Sequence, residues 1–182
     1  MRNTCWSVIT GAPCSGKTSV ISELARQGCR VVQETARTYI DGELKRGRDL
    51  LQIKTDSLLF ERRILNIKIE VESALPADET IFLDRAIPDS IAYFELEGLD
   101  PEEPRSKSSD IRYASVFMLN RLRFETDRVR TEDDRMAATL DRLLETSYVD
   151  LGYPVVRVPV LSVKERCRFI FDIVQSGITS IL

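Results

Sequence analysis

Gly11-Ala12-Pro13-Cys14-Ser15-Gly16-Lys17-Thr18 is the stretch that decides the fold. It fits G-x-x-x-x-G-K-[ST], the pattern of a phosphate-binding P-loop. Thr4 to Thr10 before it reads as a short apolar strand, and Ser19 to Arg26 after it reads as a helix ending near Gly28. Strand, loop and helix in that order are the context the motif requires. The glycines let the backbone turn tightly and bring its N–H groups round a phosphate. The helix N-terminus adds partial positive charge. Lys17 is placed to reach the β- and γ-phosphates, and the Thr18 hydroxyl to ligate Mg²⁺. Gly11 through Ser19 therefore form the expected nucleotide cradle. Cys14 offers mainly its backbone N–H; its thiol is either an inert small group or a redox-sensitive one activated by the helix N-terminus.

The 182 residues suffice for one domain of ordinary size. Lys and Arg number 26 and Asp and Glu 29, so the net charge of −3 gives no support for a general nucleic-acid or membrane-surface partner. No apolar run approaches membrane-spanning length, and no charged-then-apolar leader precedes the first strand, so a cytoplasmic location is expected. The four cysteines show no C-x-x-C spacing and histidine is absent. Zinc of the usual Cys/His kind is not expected, and a histidine acid or base is excluded.

Downstream, Cys29 to Gln33 reads as a second strand ending at Glu34-Thr35-Ala36-Arg37. Ligands of open α/β sheets bind at the carboxyl ends of strands, so Glu34 and Arg37 become substrate-side candidates; the competing reading is a surface ion pair. Asp49 to Leu75 reads as one long helix, capped by Asp49 with Gln52 in capping-box spacing. Phe60, Ile64, Ile67, Val71 and Ala74 form its apolar stripe. Glu79 to Asp84 is an apolar strand ending in an acid, the pattern in which a carboxylate holds Mg²⁺ or its water. Arg85 follows at once, and Asp89 lies about one helical turn on. Gly98 to Asp110 is polar with two prolines and reads as a surface loop. Tyr113 to Leu119 is the next strand.

Arg121, Arg123, Arg128, Arg130 and Arg135 then crowd one stretch. Arginine's planar fork suits phosphate oxygens, so a lid over the phosphates at about 120–135 is expected, with Arg128, Arg130 and Arg135 stabilising the transferring group. A solvated charged face, neutralised by the neighbouring acids, competes with it. Thr131 opens a helix to about Val149, and Tyr153 to Pro159 is the last strand. Pro159, Val160 and Leu161 leave the sheet at its ligand-binding edge and are expected to pack against the base. Ser162 and Glu165 form a capping box for the final helix. The alternation predicts an α/β fold, a three-layer P-loop NTPase with a parallel sheet of about five strands, in one domain over residues 1–182.

Taken together, GAPCSGKT, ETAR, LDRAIPDSIAYF and DRVRTEDDR resemble, in this order and over nearly the whole chain, the P-loop kinase-type ATPase domains related to the bacterial ribosylnicotinamide kinase NadR and the Ttd14 nucleotide-binding proteins. Asp84-Arg85 with Ser90 and Ala92-Tyr93 is also similar to the DR segment of thymidylate kinases. Those enzymes usually carry an aromatic residue where this chain has Ala86, which argues against a nucleoside monophosphate acceptor. The resemblance implies a nucleoside- or nucleotide-kinase-like fold, binding of ATP or GTP, and transfer of a phosphoryl group to a small hydroxyl compound that it does not fix; with the P-loop reading, ATP and Mg²⁺ are the expected cofactors and a small metabolite or nucleoside the expected acceptor. By their positions Lys17, Glu34, Asp84, Arg85 and the lid arginines are expected at the reaction, Thr18 and Asp84 on the metal, and Glu34, Arg37, Arg85 and Asp89 at the acceptor; the division between Glu34 and Asp84 could be reversed. A nucleotide-dependent switch that regulates a partner or lipid is the alternative. No N/T-K-x-D segment is present to read guanine, which favours adenine. The acceptor's identity and the oligomeric state stay open.

Overall fold

A computed structural model describes residues 1–122 and 131–176. Its centre is a parallel sheet of β2 (Trp6–Thr10), β3 (Arg30–Val32), β4 (Ile81–Asp84), β6 (Ser115–Leu119) and β7 (Val155–Val158), in the spatial order β3-β4-β2-β6-β7. β2 lies in the middle, with Val8 opposite Leu83 on one side and Val116 on the other. Successive side chains of each strand serve opposite faces. Ile9, Phe82 and Phe117 pack with Val20, Ile21 and Leu24 of α1 (Lys17–Arg26) and Cys167 and Ile170 of α8 (Val163–Ser176). Val8, Leu83 and Val116 face Leu65 of α4 (Ser57–Ala74), Phe94 of α5 (Asp89–Leu96) and Tyr148 of α7 (Thr131–Asp150). A parallel sheet covered on both faces reads as continuous apolar runs, as these strands do.

The chain departs from its sequence reading in four places. The helix expected over Asp49 to Leu75 is two: α3 (Leu50–Ile53) and α4. Asp49 and Gln52 do form a capping box, but Asp56 adopts extended backbone and caps a second helix through the Leu59 N–H. Thr55 and Asp56 offer the backbone side-chain partners that compete with helix, as the Thr55 hydroxyl does by donating to the Leu51 carbonyl. The loop expected over Gly98 to Asp110 contains α6 (Glu102–Ser108). Pro104 falls in the first turn, where the missing N–H has no helical partner to lose. β1 (Arg2–Asn3) pairs in parallel with β5 (Ile111–Arg112) in a separate small sheet that no local pattern announces. The buried face of α4 is also not the expected stripe. It carries Phe60, Ile64 and Leu65 together with Glu61, Lys68 and Glu72, while Ala74 is exposed.

The connections place the site. The chain runs from β2 through α1 to β3, over β4, and later returns to β6 on the other side of β2. Loops leaving β2 diverge there, which makes its carboxyl end a switch point where ligands bind in open sheets. α2 (Thr35–Lys45) starts at the end of β3, with Glu34 at its N-cap position.

Candidate active site

Between β2 and α1 the loop holds three left-handed residues: Gly11 at φ 149°, Cys14 at 64° and Gly16 at 79°. A Cβ on Gly11 would lie 3.0 Å from the Leu119 carbonyl oxygen and 3.0 Å from Ser15 Oγ. Both glycines are therefore required by the turn itself. Three long-range donors hold the loop's carbonyls. Arg85 Nη2 donates to the Gly11 oxygen at 3.0 Å, the Leu122 N–H to the Cys14 oxygen at 3.1 Å, and Arg166 Nη1 to the Ser15 oxygen at 2.6 Å. The Ser15 hydroxyl is buried without a partner among the described residues.

Lys17, the first residue of α1, is buried and bonds two carboxylates: Asp84 at the end of β4, and Glu34 Oε2 at 3.4 Å. Arg85 Nε donates to the other Glu34 oxygen at 2.9 Å, and Nη1 to Asp89 Oδ1 at 3.2 Å. Its guanidinium also lies 5.3 Å from the centre of the Tyr93 ring. Asp84, Lys17, Glu34, Arg85 and Asp89 thus form one chain of alternating charge. Arg85 sits in left-handed backbone, φ 67°, which turns its side chain under the P-loop.

Burial works against charge on Glu34, Asp84, Arg85 and Asp89, and their partners decide which of them keep it. Burial pushes the Glu34 carboxyl up, but the Arg85 and Lys17 charges outweigh it and hold Glu34 below its ordinary value. At Asp84 burial prevails over Lys17, so that carboxyl is raised. Burial opposes the charge on Arg85, yet Tyr93, Asp89, Glu34 and Asp84 hold it firmly protonated. Burial likewise opposes Asp89, whose carboxyl is held low by Arg85 and Lys68.

Lys17, Glu34, Asp84, Arg85 and the P-loop are brought together at one end of the sheet. Other expected residues stand elsewhere. Asp89 was expected at the acceptor, but it is 0 % exposed with both oxygens occupied. They accept from Thr10 Oγ1 at 2.5 Å, Arg85, the Ala86 N–H at 2.9 Å and the Tyr148 hydroxyl. It anchors Arg85 and has no lone pair left for a ligand. Glu34 does not pair with Arg37, which is exposed on the first turn of α2. Thr18 and Ser19 are exposed at the start of α1, and Val160 and Leu161 are exposed after β7. Arg135 is exposed on α7, and Arg121 pairs with Asp134. Arg123, Arg128 and Arg130 lie outside the described residues. Cys14 is a free, exposed cysteine.

Several residues that contact this cluster or the loop have no motif to announce them. Lys68 and Glu72 of α4 are buried behind the Asp84 to Asp89 segment: Lys68 Nζ donates to Ser90 Oγ at 3.0 Å, and Glu72 Oε1 accepts from the Ile87 N–H at 3.0 Å. Their signal was charge at helical spacing on the face that also carries Ile64 and Leu65. Arg166 approaches the P-loop from α8, and nothing near it in the chain points there.

The parts fit their expected ligands. The turn is tight enough that a Cβ on Gly11 or Gly16 would press on neighbouring protein atoms, and Ser15 Oγ has no partner among the described residues; a turn of this kind, opening a helix, is the backbone arrangement that suits a phosphate. Magnesium is commonly held by one or two carboxylates together with water and substrate phosphates, and the Thr18 hydroxyl and Asp84 carboxylate supply such a donor set. Among the described residues no cluster of at least three His, Cys, Asp or Glu side chains is placed to hold a metal by itself. Among the same residues no helix is long and apolar enough to cross a membrane.

A family model described as an AAA domain matches residues 6–166. No curated protein matches the chain. Among solved structures, the NadR protein in complex with NR superposes with a TM-score of 0.69 at 19% identity, over 99% of this chain and 52% of that one. The chain thus spans about half the length of that protein. A deoxyadenosine kinase from M. mycoides with products dCMP and dCDP gives 0.62 at 19% identity, over 94% of this chain and 98% of that one. A thymidylate kinase from Ehrlichia chaffeensis gives 0.67 at 14% identity, over 95% and 99%. At these identities the likeness is one of fold: a parallel α/β sheet of the P-loop kinase type.

Proposed function

Since the chain belongs to this AAA domain family and has the fold of P-loop kinases, we propose that it transfers the γ-phosphoryl group of Mg·ATP to a hydroxyl of a small metabolite or nucleoside. The observation that carries the reading is the pair of carboxylates on Lys17. Nucleotide binding and magnesium need one acid, which Asp84 provides. Glu34 is a second, fixed by Arg85 and with its side chain still 23% exposed, as a group that meets an acceptor must be.

The roles follow from position. The backbone N–H groups of Gly11 to Thr18 surround the phosphates, and Lys17 exchanges its carboxylates for phosphate oxygens. Thr18 and Asp84 hold Mg²⁺, which when bound supplies charge neutralisation across the phosphates. Glu34 stays ionised and accepts a hydrogen bond from the acceptor hydroxyl, orienting it in line. Phosphoryl transfer depends chiefly on such positioning and on charge stabilisation. Arg37, exposed one turn from Glu34, holds the acceptor, and Arg128, Arg130 and Arg135 close over the transferring group. The loop of Pro159, Val160 and Leu161 takes the adenine.

The test is nucleotide consumption with Mg·ATP, with and without a panel of nucleosides, vitamins and sugars. Acceptor-stimulated ADP release is the expected result. Tight nucleotide binding with no acceptor stimulation would replace this reading with a nucleotide switch.

A further inference from the structure

Arg166 is among the largest fully buried side chains in the molecule, 2% exposed. It stands on the first turn of α8, where its backbone N–H bonds the Ser162 carbonyl at 3.0 Å. Only Nη1 has a partner, the Ser15 carbonyl at 2.6 Å; Nε and Nη2 have none among the described residues. No carboxylate of the described residues lies within ion-pair distance of it. Elsewhere the chain pairs such groups: Arg157 lies between Asp141 and Glu145, and Arg85 between Glu34 and Asp89. A buried guanidinium with no carboxylate partner among the described residues is costly, and a methionine of similar length would suit such a site better for stability alone. Moreover, this cation stands beside the N-terminus of α1, which is already positive.

Its position shows what the cost supports. No peptide bond among the described residues is cis. In a trans peptide, the carbonyl and the N–H of the same unit point in opposite directions. Arg166 holds the Ser15 carbonyl on one side, so the Gly16 N–H is aimed to the other, the side of the phosphate cradle. The Leu122 N–H does the same for the Cys14 carbonyl, and thereby for the Ser15 N–H. Arg166 Nη1 would stand 3.3 Å from a Cβ on Gly16, so the guanidinium packs directly behind the peptide it orients. The orphaned Ser15 hydroxyl sits in the same turn.

We propose that Arg166 is a positioning residue for the polyphosphate of the bound nucleotide. It acts through the Ser15–Gly16 peptide, and its charge, which no carboxylate of the described residues pairs, is neutralised by the phosphates. The inference rests on the reading that the P-loop binds a nucleoside triphosphate. Its probes are Mg·ATP and tripolyphosphate, the second having no base or ribose, titrated calorimetrically into the wild type, Arg166→Met and Arg166→Lys. Arg166→Met should weaken both probes by roughly tenfold to a hundredfold, the span of one charge-assisted hydrogen bond. The ligand-free Met variant should melt no lower than the wild type, because an uncompensated buried charge has gone. Arg166→Lys should recover part of the affinity. If the wild type binds Mg·ATP and the Met variant binds it equally well, Arg166 has no such role and the nucleotide-binding reading stands. A lower ligand-free melt of the Met variant, with no recovery of affinity by lysine, would make the residue merely structural. A wild type that binds neither probe overturns the nucleotide reading along with this one.

Discussion

Replacing Glu72 by glutamine should stabilise the protein at alkaline pH and do little in acid. Glu72 is buried in α4; one oxygen accepts from the Ile87 N–H at 3.0 Å and the other from the Tyr113 hydroxyl at 2.6 Å. Burial pushes its pKa from 4.5 up to about 7, the Tyr113 hydrogen bond and the Lys68 charge restraining the rise and Asp89 adding to it. The folded protein therefore holds this proton more tightly than the unfolded chain does. Stability from that preference is fully present below the unfolded value of 4.5 and is lost as pH rises through about 7. A displacement of this size corresponds to about 3 kcal/mol. Glutamine is neutral at every pH and can keep both contacts, its oxygen accepting from Ile87 and its NH₂ donating to the Tyr113 oxygen. Near pH 8, Glu72→Gln should raise the melting temperature by roughly 6–12 °C, and the gain should shrink toward zero near pH 5. Calorimetric melts of both proteins across that range give the answer. A glutamine variant less stable than wild type near pH 8, or one with the same gain at both ends, would refute the reasoning.

The remaining predictions concern the site. Saturating Mg·ATP, at a hundred times its Kd, should add about 2.7 kcal/mol to the wild type, seen as roughly 5–10 °C in a thermal melt, and Lys17→Ala should abolish most of that shift. Glu34→Gln should leave Mg·ATP binding nearly intact while lowering acceptor-dependent turnover by about 10²–10⁴-fold; Asp84→Asn should instead weaken the Mg²⁺ dependence, read from turnover against magnesium concentration. Arg85→Lys keeps the charge but cannot serve Glu34, Asp89 and the Gly11 carbonyl together, so denaturant titration should show a loss of roughly 1–3 kcal/mol.

What could be read from the chain alone was whatever rests on local spacing. The P-loop, the strand ending at Asp84, the turn at Glu34 and the capping box of α8 each depend on residues a few positions apart, and each is found where its pattern put it. The partners of those groups were not legible. Arg85 was visible as a neighbour of Asp84, but its bonds to Gly11 and Glu34 depend on a left-handed backbone at an arginine, which no propensity suggests. Arg166 and Ser15 meet only because α8 packs on the same face of the sheet as α1, which the P-loop opens. The charges of α4 were hidden by a stripe of apolar residues one position out of phase with its buried face. Two prolines concealed α6, since a proline in the first helical turn looks the same in a sequence as one in a loop.

The most direct test of the central claim follows the γ-phosphoryl group itself. Label on the γ-position of ATP should appear, with Mg²⁺, in one member of a panel of small hydroxyl compounds. It should fail to appear there with Lys17→Ala and fall sharply with Glu34→Gln. Label released only as inorganic phosphate, or left on a nucleotide that binds tightly whatever compound is present, would contradict the account.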